Sequence, residues 1–191
     1  MRATLIFLFV VLLFSCAAAQ TYPDLSGLEE VRLGHQRKAM LALGGWAVGN
    51  IGLGLALRGH TEGSTRRFHE MNAIWNVVNL GIAGIGYFTL GGAETQVLAA
   101  WKENLSFEKI LLFNAGLDVG YMLGGLYLRE RSRRPDADAD RLRGYGTSII
   151  LQGGFLFAFD LVNYFIAHGR DESYRLLLGG TPEGIGFLLT F

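Results

Sequence analysis

The chain has 191 residues, half of them apolar, with 18% charged and a formal charge of zero. That suits one domain, but it is poorer in charge than an ordinary soluble domain at about 25%. No basic tract interleaved with aromatics points to nucleic acid, and a chain trimmed ahead of Gln20 loses its one cysteine, Cys16. Disulfides, a zinc-thiolate site and a cysteine nucleophile are then excluded.

Residues 1–20 read as a signal peptide. Arg2 precedes an apolar run over 5–14, and the small residues Ala17, Ala18 and Ala19 follow. The run is too short to span a bilayer well. A lipoprotein signal with a lipidated Cys16 is the rival, and Phe14 fits it poorly.

Four apolar stretches follow, at about 39–57, 72–92, 107–128 and 146–168. Each approaches the roughly 20 residues that carry a helix across about 30 Å of hydrocarbon. They are too long and too continuous for barrel strands. The expected fold is all-α. A four-helix transmembrane bundle of two helical hairpins over 21–168 follows the signal peptide, and an extracytoplasmic tail occupies 169–191. The alternation of Ile185, Phe187, Leu189 and Phe191 resembles one barrel strand, but one strand makes no barrel.

Charge sets an orientation. Arg58, Arg66 and Arg67 lie in one loop, and Arg129, Arg131, Arg133, Arg134, Arg141 and Arg143 in another. The opposite side spreads its Lys and Arg over about twice the length. Positive loops stay in the cytoplasm. Both ends of the mature chain are therefore expected outside a bacterial inner membrane, as a cleaved export signal would leave them.

The hairpins resemble one another. Gly45, Val48, Gly49, Gly54 and Leu55 match Gly116, Val119, Gly120, Gly125 and Leu126 at an offset of 71. Val78, Asn79, Ile82 and Ala83 match Val162, Asn163, Ile166 and Ala167 at an offset of 84. A parallel duplication would produce such matches, and so would chance between apolar helices.

Polar residues recur inside the apolar stretches. Asn72, Asn76 and Asn79 share a helix face, as do Asn114, Asp118 and Tyr121; Asn50, Gln152, Asp160 and Asn163 complete an expected intramembrane polar core. Two readings stand. The first is structural glue, joined to close packing at Gly45, Gly49, Gly81, Gly84, Gly120 and Gly124. The second is a proton or small-solute path past Asp118 and Asp160, because intramembrane acids mark such paths. The histidines His35, His60, His69 and His168 show no i, i+3 or i+4 pair; a His35–His168 bridge is the rival to plain solvation at the interface, and no metal or other cofactor is expected. Asp136, Asp138 and Asp140 read as a solvated loop, since a calcium loop would need more ligands.

The runs Phe68-His69-Glu70-Met71-Asn72, Trp75-Asn76, Asn79-Leu80, Phe113-Asn114-Ala115-Gly116-Leu117-Asp118-Val119-Gly120-Tyr121 and Gln152-Gly153-Gly154-Phe155 carry a resemblance. Over about 35–168 the chain resembles an uncharacterised family of small four-helix membrane proteins seen mostly in Bacteroidetes-type bacteria. The resemblance implies the architecture and no activity. No nucleophile, base and oxyanion donors group together. The expectation is a non-enzymatic protein whose partners are the lipid bilayer and a second copy or another membrane protein; transport past the two acids is the alternative.

Overall fold

The computed structural model describes residues 24–179; the expected signal peptide with Cys16 and the alternating end of the tail lie outside that range. Among the described residues the fold is all-α. In chain order α1 is Leu25–Arg58, α2 Gly63–Phe88, α3 Val97–Arg131, α4 Ala139–His168 and α5 Asp171–Gly179.

The helices run past their apolar middles. No proline interrupts residues 25–38, and Gly27 and Gly34 weaken the helix without ending it, so α1 continues through a polar flank to Asp24. Asp24 caps it: its Oδ1 accepts the Gly27 N–H at 2.8 Å and the Ser26 hydroxyl at 3.0 Å. At α2 the cap position is Glu62, without a side-chain cap bond, and Gly63 enters the helix at φ 55°, a left-handed conformation that favours glycine. The α2 helix stops at Phe88, ahead of Gly91 and Gly92, with the Thr89 N–H donating to the Ile85 carbonyl. Asp138, read above as part of a solvated loop, accepts the Arg141 N–H at 3.1 Å and caps α4.

The residues form two compact units. The larger holds Leu33–Gly91 and Phe113–Phe159; of the described residues, the smaller holds 24–32, Gly92–Leu112 and 160–179.

In the larger unit the two hairpins cross alike. A Cβ on Gly54 would fall 2.7 Å from the His69 carbonyl oxygen and 3.1 Å from the Ala73 nitrogen. A Cβ on Gly125 would fall 2.7 Å from the Gly146 carbonyl oxygen and 3.1 Å from the Ile150 nitrogen. Gly54 and Gly125 keep the offset of 71 seen in sequence. The second helices, however, superpose His69 on Gly146 and Ala73 on Ile150, an offset of 77. The sequence match at 84 is therefore two helical turns out of register with the packing, although it lies on nearly the same face.

Burial is inverted relative to a water-soluble fold. On α2 the buried residues are Asn72, Ala73, Asn76, Asn79 and Ala83. Val78 and Ile85 on the same helix are 62% and 68% exposed. The apolar core of the larger unit is correspondingly small, built on Ala39, Leu43, Ala83 and Phe159 with Met40 and Phe155 against it. Among the described residues three helical segments are long and apolar enough to cross a membrane: Leu25–Arg58, Val97–Arg131 and Ala139–Gly179. Only 17%, 22% and 28% of their most apolar windows are buried. Helix α2 does not join that set. Its three asparagines lower the hydropathy of its charge-free part.

Candidate functional site

Each unit contains a buried polar network. In the larger unit four residues close a hydrogen-bonded ring. The Trp46 indole N–H donates to Gln152 Oε1 at 2.9 Å. The Gln152 amide donates to Asn72 Oδ1. The Asn72 amide donates to Asn50 Oδ1 at 2.7 Å, and the Asn50 amide donates to the Trp46 carbonyl at 2.8 Å. The ring joins α1, α2 and α4. Each of its three amides donates to one member and accepts from another, so the groups satisfy one another in place. Phe155 stacks on Trp46, with centroids 3.7 Å apart and planes 5° apart, and holds the indole in line.

Asn76 and Asn79 extend the ring along α2. Asn76 donates to the Asn72 carbonyl at 2.8 Å, and Asn79 donates to Asn76 Oδ1 at 3.3 Å. Of the other expected polar residues, Asp118, Asp160 and Asn163 are buried, Asn114 is half-buried and Tyr121 is 39% exposed, edge-on to Trp75. Asp118 belongs to the larger unit, and Asp160 with Asn163 to the smaller.

A Cβ on any of the six glycines expected at helix contacts, Gly45, Gly49, Gly81, Gly84, Gly120 and Gly124, would meet nothing within 4 Å. Close approach within the chain instead uses Gly54, Gly86, Gly125, Gly144, Gly146 and Gly153.

The smaller unit holds a network built on charged groups, most of them without a distinctive signal in the sequence. Glu29 is fully buried. Arg32 grips it with two bonds of 2.7 and 2.6 Å, the Tyr174 hydroxyl donates to it at 2.9 Å and so does the Glu94 backbone N–H. Burial pushes the Glu29 carboxyl up, but the bonds from Arg32, Glu94 and Tyr174 outweigh it and leave it below the ordinary glutamate range. Burial, and then the Glu29 carboxylate, push the Tyr174 phenol far up. Leu28, Ala100 and Tyr174 pack as a small apolar cluster beneath these groups.

The second half of the same unit gathers Asn104, Glu108, His168, Arg170 and Asp171. Asn104 Nδ2 lies 2.8 Å from Glu108 Oε1 and 3.1 Å from Asp171 Oδ1. Trp101 Nε1 donates to Asp171 Oδ1 at 3.1 Å. Arg170 Nε donates to Asn104 Oδ1 at 3.1 Å. His168 Nδ1 lies 3.2 Å from Glu108 Oε2 and 3.5 Å from Asp171 Oδ2. The signals in sequence were pairs at helical spacing beside or at the ends of the apolar stretches: Glu29 with Arg32, Asn104 with Glu108, and His168 with Asp171. Taken singly, each is an ordinary helix-surface pair.

A family of unknown function (DUF6992) matches residues 42–161. The chain belongs to this family. The match takes in the whole ring of Trp46, Asn50, Asn72 and Gln152, and also Asn104 and Glu108, whereas Glu29, His168 and Asp171 fall beyond it. No curated protein and no solved structure gives a significant match.

Proposed function

We propose that this family member is a multi-span integral membrane protein that works without catalysis, through helix packing with a second copy or another membrane protein. The inverted burial carries the reading: asparagines and glutamine inside, valines, leucines and isoleucines outside. Helix α2 fits as a fourth span because the ring consumes its polar face and leaves an apolar one for lipid. The outward glycines Gly45, Gly49, Gly81, Gly84, Gly120 and Gly124 suit close approach by a neighbouring helix.

The finer placement rests on charge. Nine arginines lie at the α1–α2 and α3–α4 connections and on the helix ends beside them, seven of the nine within helices, and that side faces the cytoplasm of a bacterial inner membrane. The signal peptide is removed, and both mature ends are extracytoplasmic.

The test uses the full chain with Cys16 replaced by serine and single cysteines placed at Arg133 and Glu172. After carbonate washing the protein stays with the membranes. A membrane-impermeant maleimide labels the Glu172→Cys protein in intact cells and the Arg133→Cys protein only after lysis. Release by carbonate sinks the membrane reading, and reversed labelling sinks the orientation. Under the packing reading, Asp118→Asn and Asp160→Asn weaken folding or assembly. Loss of proton flux in vesicles by variants of unchanged stability would instead favour the transport reading.

A further inference from the structure

We infer that Glu108, His168 and Asp171 form a binding site for one divalent transition-metal ion, Zn²⁺ foremost. Such a site requires neither membrane insertion nor a partner.

The three ligand atoms lie close together. All lie within 4.8 Å of one another, with His168 Nδ1 at 3.2 and 3.5 Å from the two carboxylate oxygens. Metal–ligand bonds of about 2.0–2.2 Å imply ligand–ligand edges of roughly 3.0–3.6 Å in tetrahedral or octahedral geometry. The two histidine–carboxylate edges fall in that range.

The groups around the three residues are arranged as a metal site's supports would be. Glu108 and Asp171 each spend one oxygen on neutral donors, Glu108 Oε1 on Asn104 and Asp171 Oδ1 on Asn104 and Trp101. Each leaves its other oxygen toward His168. The Asn104 amide is itself steered by Arg170 on its oxygen and the Ala167 carbonyl on its nitrogen. Tyr164 stacks on the imidazole, with centroids 5.5 Å apart and planes 13° apart, and sets the ring plane. Outer partners of this kind fix first ligands in known sites.

Charge asks for a cation. The side chains of Glu108 and Asp171 are only 8% and 9% exposed, and among the described residues His168 is the one basic group within 4.0 Å of either. The buried Arg170 guanidinium reaches the pair through Asn104, so the two carboxylates meet one imidazole directly, and a poorly compensated buried charge is costly. A divalent ion balances them. His168, at 55% side-chain exposure, leaves an entry path and room for water to complete the coordination. One imidazole nitrogen with two carboxylate oxygens suits Zn²⁺ or Mn²⁺ better than Ca²⁺, which takes 6–8 oxygens.

The experiment titrates the full-length, detergent-solubilised protein with ZnCl₂, MnCl₂ and MgCl₂ by calorimetry. It also maps diethyl pyrocarbonate modification of His168 by mass spectrometry, with and without Zn²⁺. The expected result is one saturable Zn²⁺ site, weaker Mn²⁺ and negligible Mg²⁺ binding, and protection of His168. Glu108→Gln, Asp171→Asn and His168→Ala lose the site, and Trp101→Phe weakens it about 10–100-fold. If the variants fail to fold, protection of His168 in the unaltered protein decides alone. No saturable Zn²⁺ binding, a His168 that Zn²⁺ leaves unprotected, or binding unchanged in folded Glu108→Gln and His168→Ala proteins would each overturn the site.

Discussion

The Trp46 indole N–H donates to Gln152 Oε1 over 2.9 Å, joining residues 106 apart in sequence and closing the ring through Asn72 and Asn50. Because the ring has no open end, removing one member strands groups on both of its sides.

Gln152→Leu keeps the volume and removes the amide, which leaves the Trp46 N–H and Asn72 Oδ1 without their ring partner. The expected loss is about 1–3 kcal/mol, more than the roughly 0.6 kcal/mol of an average interhelical bond in a membrane. Unfolding of the purified protein in mixed micelles measures it. Trp46→Phe combined with Gln152→Leu should cost less than the two single losses added, since both break the same circuit. Simple additivity would mean that the ring is not coupled.

The glycines divide into two classes. Gly125→Ala and Gly146→Ala force a methyl group against backbone at the α3–α4 crossing and should destabilise by about 1–3 kcal/mol. Gly45→Ala and Gly120→Ala meet open space and should be neutral, or stabilising by up to about 1 kcal/mol through helix propensity. Thermal unfolding of the four proteins separates the classes. A large loss of self-association in Gly120→Ala without a loss of monomer stability would place a second helix on that face.

Stability should depend on pH through Glu29 and Tyr174, both outside the apolar stretches. The Glu29 carboxyl is held below its unfolded range, so its contribution is present above the ordinary glutamate range and lost as pH falls through the lower folded value. The Tyr174 phenol is held above its unfolded range, so its contribution is present below the ordinary tyrosine range and lost as pH rises beyond it. Glu29→Gln should flatten the acid limb of the stability profile, and Tyr174→Phe the alkaline limb. Unfolding midpoints from pH 3 to 11 check both, and unchanged limbs would refute the assignment.

The inverted burial predicts an unusual response to surface charge. Val78 is 62% exposed on α2, where a soluble protein would accept lysine without penalty. In a bilayer the Val78→Lys change should cost up to about 2.5–3.5 kcal/mol of insertion free energy. Its yield in carbonate-washed membranes should fall, whereas a soluble protein would show no loss.

Much of this architecture is legible in the residues. The continuous apolar stretches announce helices, and the spacing of Asn72, Asn76 and Asn79 announces the buried face of α2. The helix ends were harder to place, because a helix does not stop where its sequence turns polar: α1 continues through Glu29, Arg32 and Lys38 with no proline to break it. The partners of the asparagine stripe were only half visible. Gln152 stood out as a polar residue in an apolar run, but the Trp46 N–H that completes the ring looks in sequence like any aromatic beside a glycine. The charged groups of the smaller unit were least legible, because Glu29, Glu108 and Asp171 come from separate helices and no spacing connects them. The repeat shows the same limit. Similar residues in apolar helices aligned at 84, whereas backbone contact at two glycines selects 77.

Helices α1 and α3 have 34 and 35 residues. At 1.5 Å per residue each is about 50 Å long, some 20 Å more than the hydrocarbon it would cross. A surplus of that size would let an ordinary helix slide or tilt as the membrane thickens. Here the extra length of α1 carries Glu29 locked to Arg32, and that of α3 carries Asn104 bound to Glu108. Such pairs resist being drawn into lipid. They would act as a depth stop, so that a thicker bilayer must deform around the protein instead of pulling more of it in.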